Sequence, residues 1–97
     1  AEFGFQPYAQ LARRIAGTGL RAHHLIEKRF AKVLGVDQRQ MLAIALTPAE
    51  HQMFTNAWRA AIPWGARTRA ATRQEVLDAA RRIYEDFPVI LDALGLS

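Results

Sequence analysis

Leu20-Arg21-Ala22-His23-His24-Leu25-Ile26 is followed, past a brief helical signal that ends at Gly35, by Gln40-Met41-Leu42-Ala43-Ile44-Ala45-Leu46 and then by Thr47-Pro48-Ala49-Glu50-His51. The first segment reads as extended, and the second is an apolar run of strand length closed by a helix start. Thr47 supplies an N-cap oxygen, Pro48 suits the first helical position and Glu50 completes a capping box, so a helix is predicted through Asn56, Trp58 and Arg59 to about Ile62-Pro63. The expected core is therefore strand, strand, helix, over about residues 20–63.

On the N-terminal side, Pro7 opens a short amphipathic helix with Tyr8, Leu11, Ala12 and Ile15 on one face, stopped by Gly17 and Gly19. Between the two strands a brief helical stretch is expected from about Lys28 to Leu34. Trp64 to Ala71 reads as a basic connector without a sustained period. A second capping box at Thr72 and Glu75 starts a helix whose stripe of Val76, Leu77, Ala80, Ile83, Tyr84 and Phe87 is read as core, and Pro88 restarts a last helix that ends at Gly95. The fold class expected is α+β and mostly helical: a small ββα unit with flanking N- and C-terminal helices, the C-terminal extension covering 72–95.

The chain of 97 residues suits a single domain over 1–97, and 51% hydrophobic residues are enough to build a core. With no cysteine, disulfide frameworks, thiol catalysis and cysteine zinc sites are excluded. Thirteen Lys and Arg against nine Asp and Glu give a net charge of +4, and only Lys28 and Lys32 are lysines. A surface rich in guanidinium groups suits phosphate, which favours polyanions as partners. The longest apolar runs, such as Met41 to Leu46, are far below the roughly 20 residues of a membrane span, so no membrane segment is expected. Ala1-Glu2-Phe3-Gly4 reads as a cloning scar or linker end rather than a signal peptide, as in an excised domain.

All three histidines fall at the junctions of the strand, strand, helix unit. Phosphodiester cleavage needs such a grouping: a metal on the phosphate to stabilise developing charge, and a neutral imidazole to take the proton of the attacking water. Neighbours on a regular strand point to opposite faces, so His23 and His24 serve one site only at a strand end or bulge. His51 approaches from the first helical turn. Asn56, or less favourably Thr55, is the neutral oxygen expected to complete the ligands.

Ala22-His23-His24-Leu25-Ile26, the apolar strand and Thr47-Pro48-Ala49-Glu50-His51 resemble the ββα-metal unit of HNH and His-Me finger nucleases, especially the AHH-type toxin domains of bacterial polymorphic toxins. The resemblance covers about Ala22 to Arg59. It implies His23 and His51 as metal ligands, His24 as general base, and hydrolysis of DNA with little sequence preference. Thr55 stands where the nuclease colicins carry a further metal histidine, and the middle Asn of HNH has no counterpart, its place falling near Leu42. A backbone carbonyl or another side chain is then expected to orient the base. Two imidazoles favour one divalent zinc, nickel or manganese ion, and Asn with waters also tolerates magnesium. The resemblance further implies the C-terminal toxin domain of a longer secreted effector, acting in the target-cell cytoplasm and held in check by a cognate immunity protein.

The remaining candidates keep two readings each. Arg59 is assigned to the scissile phosphate, against a solvated helix arginine, and Arg21 carries the same ambiguity. Arg67, Arg69 and Arg73 follow the DNA backbone or solvate a loop. Trp58 and Trp64 stack on bases or pack below the surface, and Glu27 orients a histidine or pairs with Lys28 or Arg29. Two functions of other classes compete with the nuclease: a non-catalytic basic module that binds nucleic acid, and a helical interaction domain whose histidines are incidental.

Overall fold

The strand carrying the histidines, β2 (Arg21–His24), pairs antiparallel with β3 (Leu42–Leu46), placing His23 opposite Ile44 and His24 opposite Ala43. A two-residue strand, β1 (Gln6–Pro7), pairs with the other side of β3, so the sheet order is β1-β3-β2 and β2 is an edge strand. This is a computed structural model and describes residues 3–97; Ala1 and Glu2, read above as part of a scar or linker, lie outside the described residues.

Strand alternation divides the sheet into two faces of different character. Ala22, His24, Ala43 and Ala45 share one face, and the three alanines let α1 (Tyr8–Arg14) pack closely through Leu11, with Ile15 just beyond. His23, Leu42, Ile44 and Leu46 share the other, which meets the main core. That core is built with α3 (Pro48–Ala61) and α5 (Arg73–Ile83), and its largest fully buried side chains include Trp58, Tyr84 and Phe30. Both predicted capping boxes form: Thr47 Oγ1 accepts from Glu50 N–H at 3.2 Å while Glu50 accepts from Thr47 N–H at 2.9 Å, and Thr72 and Glu75 repeat the exchange. The first box fixes where His51 starts its helical turn.

The chain thus forms a small α+β fold that is mostly helical, with β2, β3 and α3 in the expected order. The stretch after Ile26 forms a 3-10 turn (Lys28–Phe30) and α2 (Ala31–Leu34), closed by Gly35 in the left-handed region at φ 71°. Two elements differ from expectation. Ala66–Ala70 is a short helix, α4, where a connector was predicted; it turns off Gly65, at φ 94°, whose carbonyl accepts from Thr68 and Arg69 N–H. The unpredicted β1 is two residues long, too short to leave an alternating pattern. The last helix, α6 (Pro88–Leu94), ends at Gly95 as predicted.

Arg29 joins the end of the histidine strand to the end of α3. Its side chain is only 4% exposed, and Nε is 2.7 Å from Glu27 Oε1. The guanidinium also donates to Thr68 Oγ1 and to the carbonyls of Trp58, Ile62 and Pro63 at and just beyond the C-terminal end of α3. It lies 4.4 Å over the Phe30 ring and 4.7 Å over that of Trp64. Removing one partner of a buried pair strands the other, so Arg29→Ala is expected to lower the unfolding free energy by about 3–5 kcal/mol. Urea unfolding followed by circular dichroism measures this; an unchanged midpoint would show that Arg29 is not the tie.

Candidate functional site

His23 is 2% exposed, an unusual setting for an imidazole, and each of its ring nitrogens is engaged. Nε2 lies 3.0 Å from the Tyr84 hydroxyl, and Nδ1 lies 3.2 Å from Nδ1 of His51. The protonation pattern follows from what surrounds Tyr84. Its hydroxyl meets the carbonyl of Leu25, which only accepts, so the phenolic proton is donated there. Trp58 Nε1–H, which only donates, fills one oxygen lone pair at 3.2 Å. His23 Nε2 must therefore carry a proton and donate it to the second lone pair. This leaves Nδ1 of His23 unprotonated and facing His51.

A bare Nδ1 at 3.2 Å from another Nδ1 is satisfied in one of two ways: His51 donates a proton to it, or both lone pairs converge on a cation. Two imidazole nitrogens sharing a tetrahedral zinc ion stand about 3.3 Å apart, given Zn–N bonds of about 2.0–2.1 Å. The observed separation of 3.2 Å matches the length of such an edge. Phe54 stacks on His23 at a centroid distance of 5.3 Å, and the two imidazoles meet edge to face. Burial above all, and then the nearby His51 and His24, push the pKa of His23 down to about 3. At neutral pH the ring is an uncharged donor of a lone pair.

His24 occupies the opposite face of the strand. Its ring stacks on Tyr8 of α1 at 3.9 Å, nearly parallel, and Nε2–H donates to the Gln38 carbonyl at 3.1 Å. That bond fixes the other tautomer question: Nδ1 of His24 is the free acceptor. Burial lowers its pKa, as do Lys28 and His51, against the opposing effect of the Gln38 bond. No bulge is needed to unite the pair, because His24 ends β2 and β2 is the sheet edge. A cleft of about 260 Å³ wraps that edge, lined by His23, His24, His51, Tyr8, Thr55 and Trp64 among others.

Of the residues expected at the site, the structure brings His23, His24 and His51 together and puts Arg21 in a neighbouring cavity of about 520 Å³ that shares Tyr8, Ala22 and His51 with the cleft. Burial lowers the pKa of His51, assisted by the charge of Arg21. Asn56 is not brought in: it is exposed on α3, with its Oδ1 accepting from Gln52 at 2.8 Å. The five-residue step from His51 turns it off the cleft face, whereas Thr55, one turn on, lines the cleft and donates to the His51 carbonyl. Among the described residues no group of three or more His, Asp or Glu is arranged to hold a metal. Arg59 is also outside: it borders a shallow groove with Pro63 and Trp64. Arg67 lines a separate depression with Glu75 and Asp78, and Arg69 is exposed on α4.

Tyr84 was read only as core, and Tyr8 only as the face of an amphipathic helix. A tyrosine in an otherwise apolar stripe carries a hydroxyl that must be bonded when buried, and that was the available signal. Compared with known proteins, the chain matches no family model, no curated protein and no solved structure. Among the described residues, no helix is long and apolar enough to cross a membrane.

Two predictions come from this geometry. The folded-state pKa of His23 lies below the unfolded 6.5, so on acidification the unfolded chain takes up the proton first and stability falls, from about pH 6.5 down towards 3. The lowered pKa values of His24 and His51 act in the same sense. Unfolding free energies measured from pH 7 to 5, before carboxylates titrate, should fall with a slope of up to about 1.4 kcal/mol per pH unit per histidine; a flat profile would contradict a neutral buried His23. Separately, Tyr84→Phe strands Leu25 C=O, Trp58 N–H and His23 Nε2–H, and is expected to cost about 2–4 kcal/mol by urea unfolding.

Proposed function

We propose that this chain is a metal-dependent endonuclease that hydrolyses DNA phosphodiester bonds with little sequence preference. The observation that carries the reading is the convergence of the unprotonated Nδ1 of His23 on Nδ1 of His51, with a second neutral imidazole, His24, in the same cleft. His23 and His51 would hold one divalent ion, which when bound neutralises charge building on the phosphate. Thr55, the phosphate and water are the oxygen donors available to complete its shell, in place of Asn56. A borderline ion such as zinc, nickel or manganese suits two imidazoles, and oxygen donors with waters also tolerate magnesium.

His24 acts as general base. Its Nδ1 accepts a proton from the water that attacks phosphorus, the bond from phosphorus to the leaving oxygen breaks, and that oxygen takes a proton from solvent. The Gln38 carbonyl and the Tyr8 ring hold the imidazole in orientation, and the imidazolium returns its proton to solvent before the next turnover. Arg21, beside His51, steadies a phosphate oxygen. Arg59, Arg67 and Arg69 are outer contacts to the DNA backbone, which supply affinity and salt dependence rather than rate. The sequence resemblance to AHH-type toxin domains supports the wider reading: a toxin domain of an interbacterial effector, delivered into the target-cell cytoplasm, with an immunity protein as its partner.

The test is cleavage of plasmid DNA with added divalent ion and with chelator. Chelator should stop cutting; His24→Ala should abolish cutting yet retain metal binding by calorimetry, while His23→Ala and His51→Ala should each weaken that binding. Full activity in His24→Ala, or cutting indifferent to chelator, would overturn the assignment.

A further inference from the structure

Trp64 is 55% exposed, although an indole has much to gain from burial, and it stands where the histidine cleft meets the groove of Arg59 and Pro63. Its position is not loose. The Arg29 guanidinium lies 4.7 Å from its ring centroid, is itself backed by Phe30, and is anchored by Glu27, Thr68 and the last carbonyls of α3. A buried cation over an aromatic ring attracts that ring and favours the orientation that keeps its face on the cation. The result is a large, pre-positioned π surface on the rim of a cleft that the three imidazoles also line, with Arg59 in the adjoining groove and Arg21 in the neighbouring cavity that shares His51. Trp58, by contrast, is fully buried and is not available to a ligand.

We propose, on the reading that this cleft cuts nucleic acid, that Trp64 is a stacking subsite for an unpaired nucleobase beside the scissile phosphate, so that strands with splayed bases are engaged better than intact duplex. Every base has a π face, so such a platform adds affinity without sequence choice, in keeping with phosphate-directed arginines elsewhere on the rim. In a duplex the same faces are occupied by neighbouring bases, and the subsite is reached only after local unstacking.

The experiment uses His24→Ala protein to prevent cutting and follows fluorescence anisotropy of a short labelled DNA single strand, the matching duplex and an abasic strand with the same phosphates. Trp64→Ala is expected to weaken single-strand binding about 5- to 100-fold, with Trp64→Phe recovering most of it. The salt slope should not change, because no charge is removed, and abasic-strand binding should be indifferent to both variants. Thermal unfolding of each variant checks that the fold persists. Unchanged single-strand affinity in Trp64→Ala, or an equal loss on the abasic strand, overturns the subsite while metal-dependent cutting by the parent leaves the nuclease reading standing. No cutting by the parent, with Trp64-dependent binding retained, overturns the nuclease reading and leaves the subsite in place.

Discussion

A phenolic hydroxyl has one proton to give and two lone pairs to fill, and at Tyr84 all three are used by groups from different parts of the chain. Leu25 C=O lies just past the end of β2, Trp58 N–H comes from α3, and His23 Nε2–H comes from β2 itself. The oxygen is fully buried at the end of α5, where an unmet hydrogen bond costs more than a met one returns. One atom therefore ties the histidine strand, the His51 helix and the C-terminal helices together. It also decides chemistry, because it places the proton of His23 on Nε2 and leaves Nδ1 bare beside His51.

The rest of the site is arranged around that constraint. His23 is locked from behind by Tyr84 and flanked by Phe54; His24 is locked by Gln38 C=O and flanked by Tyr8. In both rings Nε2 is the anchored donor and Nδ1 the unprotonated nitrogen, although the rings face opposite sides of the sheet. The edge position of β2 lets these two faces open into one cleft. Ligating histidines are commonly oriented by hydrogen bonds from their remote nitrogen, and the Tyr84 contact has that form. Arg29 plays the corresponding mechanical part on the backbone, joining Glu27 to the exposed end of α3.

The local elements were legible because their signals are local. Thr47-Pro48-Ala49-Glu50 announces a helix start whatever lies around it, and so do Thr72 and Glu75; both boxes form as read. The histidine strand and its apolar partner follow from apolar runs and breakers. What the sequence could not display was any relation set by distant packing. Tyr84 sits at a position whose helical period says only that it is buried, and its three partners are 26 to 61 residues away. Asn56 looked suitable by atom type, but the helical step from His51 favours Thr55. Arg59 lies on the His51 helix and borders the groove of Pro63 and Trp64 rather than the histidine cleft. α4 escaped because five residues give too little pattern to separate a helix turn from a basic loop.

The central claim is that the bare Nδ1 of His23 and the Nδ1 of His51 form a cation site, with His24 left uncoordinated. Long-range proton–nitrogen NMR of the imidazole rings, recorded before and after adding zinc at neutral pH, tests it most directly. The account predicts that His23 shows a protonated Nε2 and an unprotonated Nδ1 at the start, and that zinc shifts Nδ1 of His23 and His51 while the His24 Nδ1 keeps the signature of a free lone pair. A proton found on Nδ1 of His23, or zinc shifts confined to His24, would contradict it.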